Sequence, residues 1–417
     1  MIICLFDFFE KNHTILTDLF SKKLKNMFNF ELHNSDSYAR AGTFETPHGK
    51  IETPIFMPVG TKATVKGITN EDLDEMWAQI ILNNTYHLYL RPGDDVVAHF
   101  GWTHEFTQYK KPILTDSGWF QVFSLGQTRE WKSLVKITED GVQFRSFIDW
   151  SSHMFTPERV MDIQSNIGAD IIMAFDECAP GTSDWNYAKA AMNRTHRWAK
   201  RSLEQVKINN EIRKKDGRHE QALFPIVQWV TYEDLRKESA QYISSLDTHW
   251  VAIWGLSVGE TKHDMYRILD VLKDELPTDK PRYLMWVWTP EDLIEAIDRG
   301  IDMFDCVLPT RLWRHGIAFS HIGNIKITNH KFKLDKSPLD PDCDCKVCTT
   351  FTKWYLRHLM KENEILGMQM MSYHNLYFLI HLTKKARKAI LENKYQEFRE
   401  SFWAKYKDGK MINKNKS

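Results

Sequence analysis

Short apolar runs alternate with longer amphipathic stretches over residues 51–330. The runs are typical of buried strands, and the stretches between them repeat apolar positions at helical spacing. Repeated strand–helix units predict a parallel sheet, and about eight of them predict a closed (β/α)8 barrel in the α/β class. The predicted strands are 80–82, 112–114, 170–174, 223–227, 251–253, 284–287 and 303–307, and the clearest helices are 157–167, 187–206, 232–245 and 290–299.

Polar side chains stand at the ends of several predicted strands. The four clearest are Asp116, Asp176, Gln228 and Asp305. In a (β/α)8 barrel the C-terminal ends of the strands line the mouth of the active site. A single aspartate at such a place is more often the N-cap of the next helix. Polar residues at the ends of four predicted strands favour an active site over four separate helix N-caps.

The composition is that of an ordinary globular protein. The 417 residues include 55 Lys+Arg and 55 Asp+Glu, so the formal net charge is zero, and 42% are hydrophobic. These proportions exclude a wholly disordered chain, and no apolar run reaches the roughly 18 residues of a membrane span. A balanced charge does not exclude a nucleic-acid partner, because a basic surface can be local.

The two ends of the chain differ from its middle. Residues 1–26 are an N-terminal extension, or sequence read ahead of a start at Met27, because they lack the leading positive charge and the cleavage site of a signal peptide. We assign 27–335 to the catalytic barrel. Pro338 and Pro341 introduce a subdomain at 336–380, and we expect the helical segment 381–417 to complete the barrel.

Three of the six cysteines lie within six residues, at Cys343, Cys345 and Cys348. Thiolates this close together can bind one ion, and a histidine from a later helix, His374, can complete a tetrahedron. Four protein ligands of this kind suit one structural zinc ion. The alternative is that the three cysteines are close together by chance and that His374 is a core histidine. The spacing of the six cysteines also fits a reducing cytoplasm better than a disulfide framework. The other nearby histidines are His358 and His381.

Nine motifs resemble the family of queuine/preQ1 tRNA-guanine transglycosylases, in the same order and from about Met27 to Tyr406. They are MPVGTKATVKGI (57–68), NNTYHLYLRPG (83–93), ILTDSGWFQVFSL (113–125), DGVQFRS (140–146), FDECAP (175–180), RWAKRS (197–202), GLSVGE (255–260), GIDMFDCVLPTR (300–311) and CDCKVC…HNL (343–376). The resemblance implies a (β/α)8 TIM barrel with an inserted zinc-binding subdomain, and a homodimer. The implied reaction exchanges guanine at the wobble position (34) of GUN-anticodon tRNAs for preQ1, in queuosine biosynthesis.

Such an exchange requires two carboxyl groups. Replacing a base with retained configuration takes two inversions, through a carboxylate nucleophile and a covalent ribosyl intermediate. The resemblance implies that Asp305 is the nucleophile and that Asp116 is the general acid and base for the departing and incoming bases. The target nucleotide must leave its stack to reach them.

The same resemblance assigns the contacts to the edge of the base. Asp176 would accept from N1–H and the 2-amino group of guanine, and Gln228 would contact the O6 side. The N–H of Gly255 would also reach O6, and the carbonyl of Leu256 would accept from the exocyclic amine of preQ1. Each of these residues also has a purely structural interpretation.

The remaining pocket residues follow from the resemblance as well. Phe120 and Met285 would sandwich the ring of the base, although either residue alone is more often part of a core. Gln121, beside Phe120, is assigned to the pocket. Cys178 and Val258 resemble the bacterial branch of the family, which favours preQ1 over queuine as the incoming base.

Contacts with tRNA require local positive charge. Arg311 and Arg314 match family residues at the anticodon loop. The implied partners are a tRNA anticodon loop, preQ1 and guanine, and a second copy of the chain, with no membrane. One alternative is a catalytically silent RNA-binding subunit of a heterodimer, which the retention of all three aspartates argues against. Another is a related enzyme for tRNA positions outside the anticodon, for which we expect a further C-terminal RNA-binding domain.

Ten of the fifteen tryptophans stand where the family pattern has glycine. Clear cases are DSGW for DSGG, IVQW for IxQG, IWGL for xGGL, MWVW for MGVG and RLWR for RxGR. The ten are Trp77, Trp102, Trp119, Trp150, Trp229, Trp250, Trp254, Trp286, Trp288 and Trp313. We hypothesise that UGA codons that mean glycine in the source organism have been translated as tryptophan.

The glycine content and the chemistry of strand ends agree with this hypothesis. Glycine supplies 19 of 417 residues, about 4.6% where roughly 7% is usual, and ten more would make it about 7.0%. Glycine at strand ends allows positive φ and close approach of the backbone to a ligand, whereas an overpacked site costs roughly 1–3 kcal/mol. Trp185 and Trp198, by contrast, match tryptophans of the family.

Overall fold

The computed structural model describes residues 27–125, 135–228, 230–256, 260–287 and 289–414. The predicted N-terminal extension, 1–26, lies outside these residues, and so does Val258 of the predicted pocket. Among the helices within them, none is long and apolar enough to cross a bilayer.

Short strands and longer helices alternate along the chain. Over the described residues the strands are β1 (Phe30–Asp36), β2 (Ala39–Thr46), β3 (Gly49–Thr53), β4 (Ile55–Gly60), β5 (Ile81–Asn83), β6 (Ile113–Thr115), β7 (Lys136–Ile137), β8 (Val142–Arg145), β9 (Ser152–Phe155), β10 (Ile171–Met173), β11 (Ala222–Phe224), β12 (Ile226–Val227), β13 (Val251–Ile253), β14 (Arg282–Leu284), β15 (Met303–Cys306), β16 (Ile317–Ala318) and β17 (Ile325–Lys326). The helices are α1 (Asn70–Glu75), α2 (Thr85–Leu90), α3 (Asp94–His99), α4 (Trp102–Thr107), α5 (Trp119–Leu125), α6 (Pro157–Ile167), α7 (Trp185–Lys215), α8 (Glu233–Ser245), α9 (Lys262–Leu272), α10 (Pro290–Ile297), α11 (Lys346–Thr350), α12 (Lys353–Lys361), α13 (Ile365–Leu391) and α14 (Tyr395–Lys414), with 3₁₀ turns at Leu312–His315 and His330–Phe332.

The central sheet is a parallel barrel. Its strands follow the order β11–β10–β6–β5–β4–β15–β14–β13–β12, and the neighbouring pairs run parallel. β11 and β12 are two parts of one strand that is interrupted at Pro225, which has no N–H to donate. The Pro225 carbonyl still accepts from the Ala252 N–H at 3.0 Å. Eight parallel strands therefore close the sheet, and the predicted (β/α)8 fold is confirmed.

Helix ends follow the capping residues of the sequence. The helix predicted at 157–167 coincides with α6, because Thr156 accepts from the Arg159 N–H, Pro157 occupies the first turn, and Gly168 ends the helix at φ +81°. The helix predicted at 187–206 is longer, since α7 begins after the N-cap Asp184 and continues to Lys215. Apolar spacing located the middle of this helix but missed its polar C-terminal turns.

One strand lies earlier than predicted. The apolar run at 284–287 suggested a strand there, but β14 is Arg282–Leu284. The chain leaves the sheet at Trp286, which has φ +63° and turns its N–H toward the carboxylate of Asp305 at 3.0 Å. Met285 and Trp286 of this run line the barrel mouth, while the N–H groups of Met285 and Val287 still donate to the carbonyls of Ile253 in β13 and Asp305 in β15.

A polar cluster holds the opposite, N-terminal end of the barrel. Asp170, just before β10, accepts from the Ile113 N–H at 2.9 Å and lies 2.6 Å from His48 Nδ1. The rings of His48 and His104 stack at 3.5 Å. Burial alone would raise the pKa of Asp170, but hydrogen bonds from His104 and His48 outweigh it and hold the pKa at about 2. These contacts tie β6 to β10, so we interpret the cluster as structural.

Candidate active site

The four predicted strand-end residues all lie at the C-terminal rim of the barrel. Asp116 and Gln228 directly follow β6 and β12, Asp176 comes three residues after β10, and Asp305 lies in β15. A cavity of about 550 Å³ opens at this rim, and Asp116, Asp176 and Asp305 line it. The barrel thus brings together three carboxyl groups that are as much as 189 residues apart in the sequence.

Asp116 is held by donors from the start of α2 and from the turn that follows β6. Its Oδ1 accepts from the backbone N–H groups of Thr85 at 3.0 Å and Gly118 at 3.2 Å, and its Oδ2 accepts from Asn84 Nδ2. Loss of hydration raises the pKa of Asp116 to about 7, against these hydrogen bonds and with a further contribution from the charge of Asp305. A carboxyl group that titrates near neutrality can both give and take a proton.

Asp305 is almost completely buried and faces the same cavity. Tyr283 Oη donates to its Oδ1 at 2.7 Å, and the Trp286 N–H donates to the same oxygen at 3.0 Å. Burial raises the pKa of Asp305 to about 6, although both donors favour the ionised form. Two donors that favour the anion suit a nucleophile beside an acid.

Asp176 and Gln228 form a fixed pair. Gln228 Nε2 donates to Asp176 Oδ2, and Ser117 Oγ donates to Oδ1 at 3.1 Å. Burial raises the pKa of Asp176 to about 7, and the charge of Asp116 adds to this. The pair presents a carboxyl edge to the cavity, as binding of two adjacent N–H donors requires.

The other predicted pocket residues fall into two groups. Phe120, Gln121 and Met285 line the cavity itself. Gly255, Leu256 and Cys178 are buried behind this wall. A Cβ atom placed on Gly255 would lie 3.6 Å from Gln228 Oε1 and 3.9 Å from the sulfur of Cys178, so these residues surround the Asp176–Gln228 pair.

Two indoles occupy the part of the cavity next to Phe120. The ring centroid of Trp286 lies 4.2 Å from that of Phe120, and the centroids of Trp254 and Trp286 are 4.9 Å apart. Both indoles line the cavity together with Met285. A base sandwiched between Phe120 and Met285 would have to compete with these rings for space.

Several of the ten unexpected tryptophans have the backbone conformation of glycine. Trp77, Trp102, Trp150 and Trp286 have φ between +63° and +66°. The left-handed region is unfavourable for residues with a Cβ atom, and glycine adopts it readily. Four tryptophans in this region support the hypothesis that the authentic residues are glycines.

One buried tryptophan of the same set, Trp250, is overpacked. The ring centroids of Trp250 and Phe44 are only 3.2 Å apart, closer than the 4.5–7 Å of ordinary aromatic pairs. Trp250 Nε1 is buried without a hydrogen-bond partner among the described residues. Trp119 is also buried, at 2% exposure. Trp229 and Trp288 lie outside the described residues, and the surroundings of Trp313 do not explain its presence.

The mouth of the cavity is basic. Only some of its basic residues were predicted from the sequence. Arg311, which the resemblance assigned to the anticodon loop, lines the cavity, and so do Lys62, Lys66 and His87. Burial lowers the pKa of Lys66, and the charges of Arg314, Arg311 and Lys62 lower it further, which shows that these cations lie close together. Lys62, Lys66 and His87 stand within the quoted motifs at 57–68 and 83–93, so their position in those motifs was the available signal.

The cysteine cluster forms a compact set of metal ligands. The sulfurs of Cys345 and Cys348 lie 3.4 Å from His374 Nδ1, and that of Cys343 lies 3.9 Å from it. Tetrahedral zinc would place sulfur and nitrogen ligands about 3.5 Å apart. His374 Nε2 lies 2.8 Å from the Phe319 carbonyl, which fixes the ring with Nδ1 toward the sulfurs. The four residues could hold one metal ion.

Comparisons with known proteins give one family for nearly the whole chain. The sequence profile of a family described as Queuine tRNA-ribosyltransferase matches residues 35–408. A protein of that name from Caldanaerobacter subterraneus subsp. tengcongensis is 54% identical over 368 residues, which cover 88% of this chain and 94% of that protein. The protein of the same name from Herpetosiphon aurantiacus is 51% identical over 381 residues, 91% of this chain and 93% of that protein. The one from Ruminiclostridium cellulolyticum is 53% identical over 368 residues, 88% and 95% of the two chains.

Proposed function

The chain belongs to the queuine tRNA-ribosyltransferase family, and we propose that it exchanges guanine 34 of GUN-anticodon tRNAs for preQ1, in queuosine biosynthesis. The observation that carries this proposal is the presence of Asp116 and Asp305 in the wall of one cavity. A catalytically silent subunit would not need a buried carboxylate with two donors facing an acid that titrates near neutrality.

Two displacements account for the exchange. In the first, Asp305 attacks the anomeric carbon of ribose 34 through Oδ2, the oxygen that Tyr283 and Trp286 do not bind. The bond from that carbon to guanine breaks, and Asp116 gives its proton to the departing base. In the second, Asp116 takes a proton from preQ1, whose nitrogen attacks the same carbon and releases Asp305. Two inversions leave the configuration unchanged.

The base would be read by the groups around Asp176. Its carboxylate accepts from N1–H and the 2-amino group, and the amide of Gln228, fixed on Asp176, stands on the O6 side. The N–H of Gly255 contributes a second donor to O6, and the carbonyl of Leu256 accepts from the amine of preQ1. Cys178 and Val258 favour preQ1 as the incoming base.

The basic mouth would bind the anticodon loop. Lys62, Lys66, Arg311 and Arg314 supply positive charge at the entrance, where backbone phosphates need neutralisation. Wobble-base extrusion then places ribose 34 between the two aspartates. A homodimer and a cytoplasmic location, where tRNA is modified, complete the proposal.

Labelled guanine tests the function directly. The protein is incubated with radioactive guanine and a tRNA that carries G34, and with the same tRNA carrying A34 as the control. We expect incorporation into the first tRNA only, and its displacement by unlabelled preQ1. Absence of incorporation, in protein whose residues at the ten tryptophan positions have been verified, would refute the proposed function.

The metal would be structural zinc, held by Cys343, Cys345, Cys348 and His374. Chelation is expected to lower the melting temperature by on the order of 10 °C, because binding energy at a structural site is folding energy. His374→Gln should lose the metal, whereas His358→Gln, which changes an exposed histidine outside the cluster, should keep it. Unchanged melting after chelation, in protein shown to contain zinc beforehand, would contradict this role.

Exchange should fail in acid as Asp305 becomes protonated. Below the pKa of about 6 we expect kcat/KM for tRNA to fall by about tenfold per pH unit, because only the carboxylate is nucleophilic. Tyr283→Phe removes a donor that favours the Asp305 anion, so the pKa of Asp305 should rise. The acidic limb of the pH profile of kcat/KM should then move to higher pH by roughly one unit. Tyr89→Phe, at a tyrosine bonded to His153 and outside the cavity lining, is the matched control. An unmoved limb in Tyr283→Phe would show that another group governs it.

A further inference from the structure

The guanidinium of Arg236 lies wholly inside the barrel wall, at 0% exposure. It extends from the first turn of α8, and its hydrogen bonds to the described residues all go to main-chain carbonyls. Nε donates to Val230 at 2.9 Å, and Nη1 donates to Trp254 at 2.8 Å and to Val227 at 3.3 Å. Nη2 donates to Gly255 at 2.9 Å. One side chain thus collects four carbonyl oxygens.

A guanidinium buried this completely is costly, so its place needs a reason. Burial lowers the pKa of Arg236, and the charge of Glu260 opposes this. The four carbonyls supply the compensating negative ends of peptide dipoles. They belong to the end of β12 and to the turn after β13, where Gln228 and Gly255 lie. Arg236 therefore joins the two segments that stand beside Asp176.

The contacts also fix the direction of two peptide groups. The carbonyls of Trp254 and Gly255 are consecutive, and both point at the same guanidinium. Gly255 has φ +71°, a conformation that a residue with a Cβ atom rarely adopts. In a trans peptide the N–H points away from the C=O. The N–H groups of Gly255 and Leu256 are therefore both directed away from Arg236, as an oriented pair suited to an oxygen acceptor.

We propose that Arg236 is a positioning residue that holds the Gly255–Leu256 turn so that its N–H groups read the O6 atom of the base. The inference rests on the proposed function, and it adds a residue behind the pocket wall to those that touch the base. The guanidinium polarises the peptide between Trp254 and Gly255, which strengthens the Gly255 N–H as a donor. Lysine could not replace it, because a single ammonium group lacks the planar fork that reaches separate carbonyls.

Comparison of guanine with 6-thioguanine tests the contact between the Gly255–Leu256 turn and the O6 atom of the base. The two bases share N1–H and the 2-amino group, the partners assigned to Asp176, and differ only in that sulfur, a weaker acceptor, replaces O6. We expect Arg236→Met and Arg236→Lys to raise KM for guanine at least about tenfold, with KM for tRNA within about twofold. The preference for guanine over 6-thioguanine should fall by a similar factor. A residue that only supported the fold would lower activity with both bases equally.

Arg213→Met is the matched control. Arg213 is also buried, at 5% exposure, and donates to main-chain carbonyls, those of His219 at 2.7 Å and Ser165 at 2.9 Å, outside the cavity lining. This variant should melt at a lower temperature and keep the preference for guanine. Retention of the full preference in Arg236→Met and Arg236→Lys would overturn the positioning role.

Direct binding separates this inference from the proposed function. The variants are made in the form of the chain that incorporates guanine into tRNA. If no form does so, the proposed function fails, and binding of the two free bases to the protein is measured by calorimetry instead. Loss of the preference for guanine in Arg236→Met then still supports the role of Arg236, and an unchanged preference overturns it.

Discussion

Asp305→Asn is expected to lower guanine incorporation on the order of 10⁴-fold, since loss of a nucleophile removes the covalent route. The amide keeps the shape of the side chain, and its carbonyl oxygen can still accept from Tyr283 and from the Trp286 N–H. The fold should therefore be preserved while the ribosyl ester can no longer form. The decisive measurement is the tRNA–protein adduct on a denaturing gel, which should be present in the parent chain and absent in the variant.

Asp302→Asn provides the matched control for this experiment. Asp302 is fully buried, accepts from the Arg282 N–H at 2.8 Å and lies 3.5 Å from Arg40 Nε. It precedes β15, outside the cavity lining, so its loss should reduce stability and leave adduct formation intact. A persistent adduct in Asp305→Asn would remove this residue from the role of nucleophile.

Glycine at positions 254 and 286 is expected to raise exchange activity on the order of 10²-fold over the chain with tryptophan there. Both indoles stand beside Phe120 in the cavity where the base must lie, and a misplaced substrate loses about that factor. Glycine at 286 also removes a Cβ atom from a residue with φ +63°. Mass spectrometry of peptides from the native protein decides the hypothesis of UGA misreading, because it identifies the residues at 254 and 286 directly. Tryptophan at both positions in the native protein would end the hypothesis.

Trp198→Gly is the control for the glycine variants. The Trp198 ring is fully buried, stacks on Phe175 at 5.1 Å, and donates from Nε1 to the Glu139 carbonyl at 2.8 Å. It has the contacts of an authentic core tryptophan, so its loss should cost about 3–5 kcal/mol of stability. Equal destabilisation by Trp286→Gly would show that the indole at 286 belongs to the fold.

The barrel could be predicted from the sequence because each of its units repeats the same local pattern. Apolar runs located β13 without error, and Thr156, Pro157 and Gly168 defined both ends of α6. The interruption at Pro225 and the early end of β14 could not be predicted in the same way. Both depend on hydrogen bonds across the sheet and at its rim, where Trp286 gives its N–H to the side chain of Asp305 rather than to a main-chain carbonyl.

The residues of the candidate site could be predicted where a polar side chain stands at the end of a predicted strand. Asp116, Asp176, Gln228 and Asp305 stand at strand ends, and the parallel barrel sends all of these ends to one rim. The hydrogen bonds of Asn84, Tyr283 and Arg236 could not be predicted from the sequence, because each goes to a partner that is distant along the chain. Amide, phenol and guanidinium groups are common throughout proteins, and only their contacts distinguish those that position a carboxylate or a peptide.

The sequence by itself determined the family, the barrel, the cysteine cluster and the polar residues at the strand ends, since these depend on residue type, spacing and order. Tertiary structure raised the pKa of both carboxyl groups, because burial outweighs their hydrogen-bond donors and brings Asp116 to about 7 and Asp305 to about 6. It also placed Trp254 and Trp286 in the cavity that Asp116 and Asp305 line, and it placed the Arg236 guanidinium on the carbonyls of Trp254 and Gly255. These properties arise from atoms brought together by folding, which no local stretch of the chain contains.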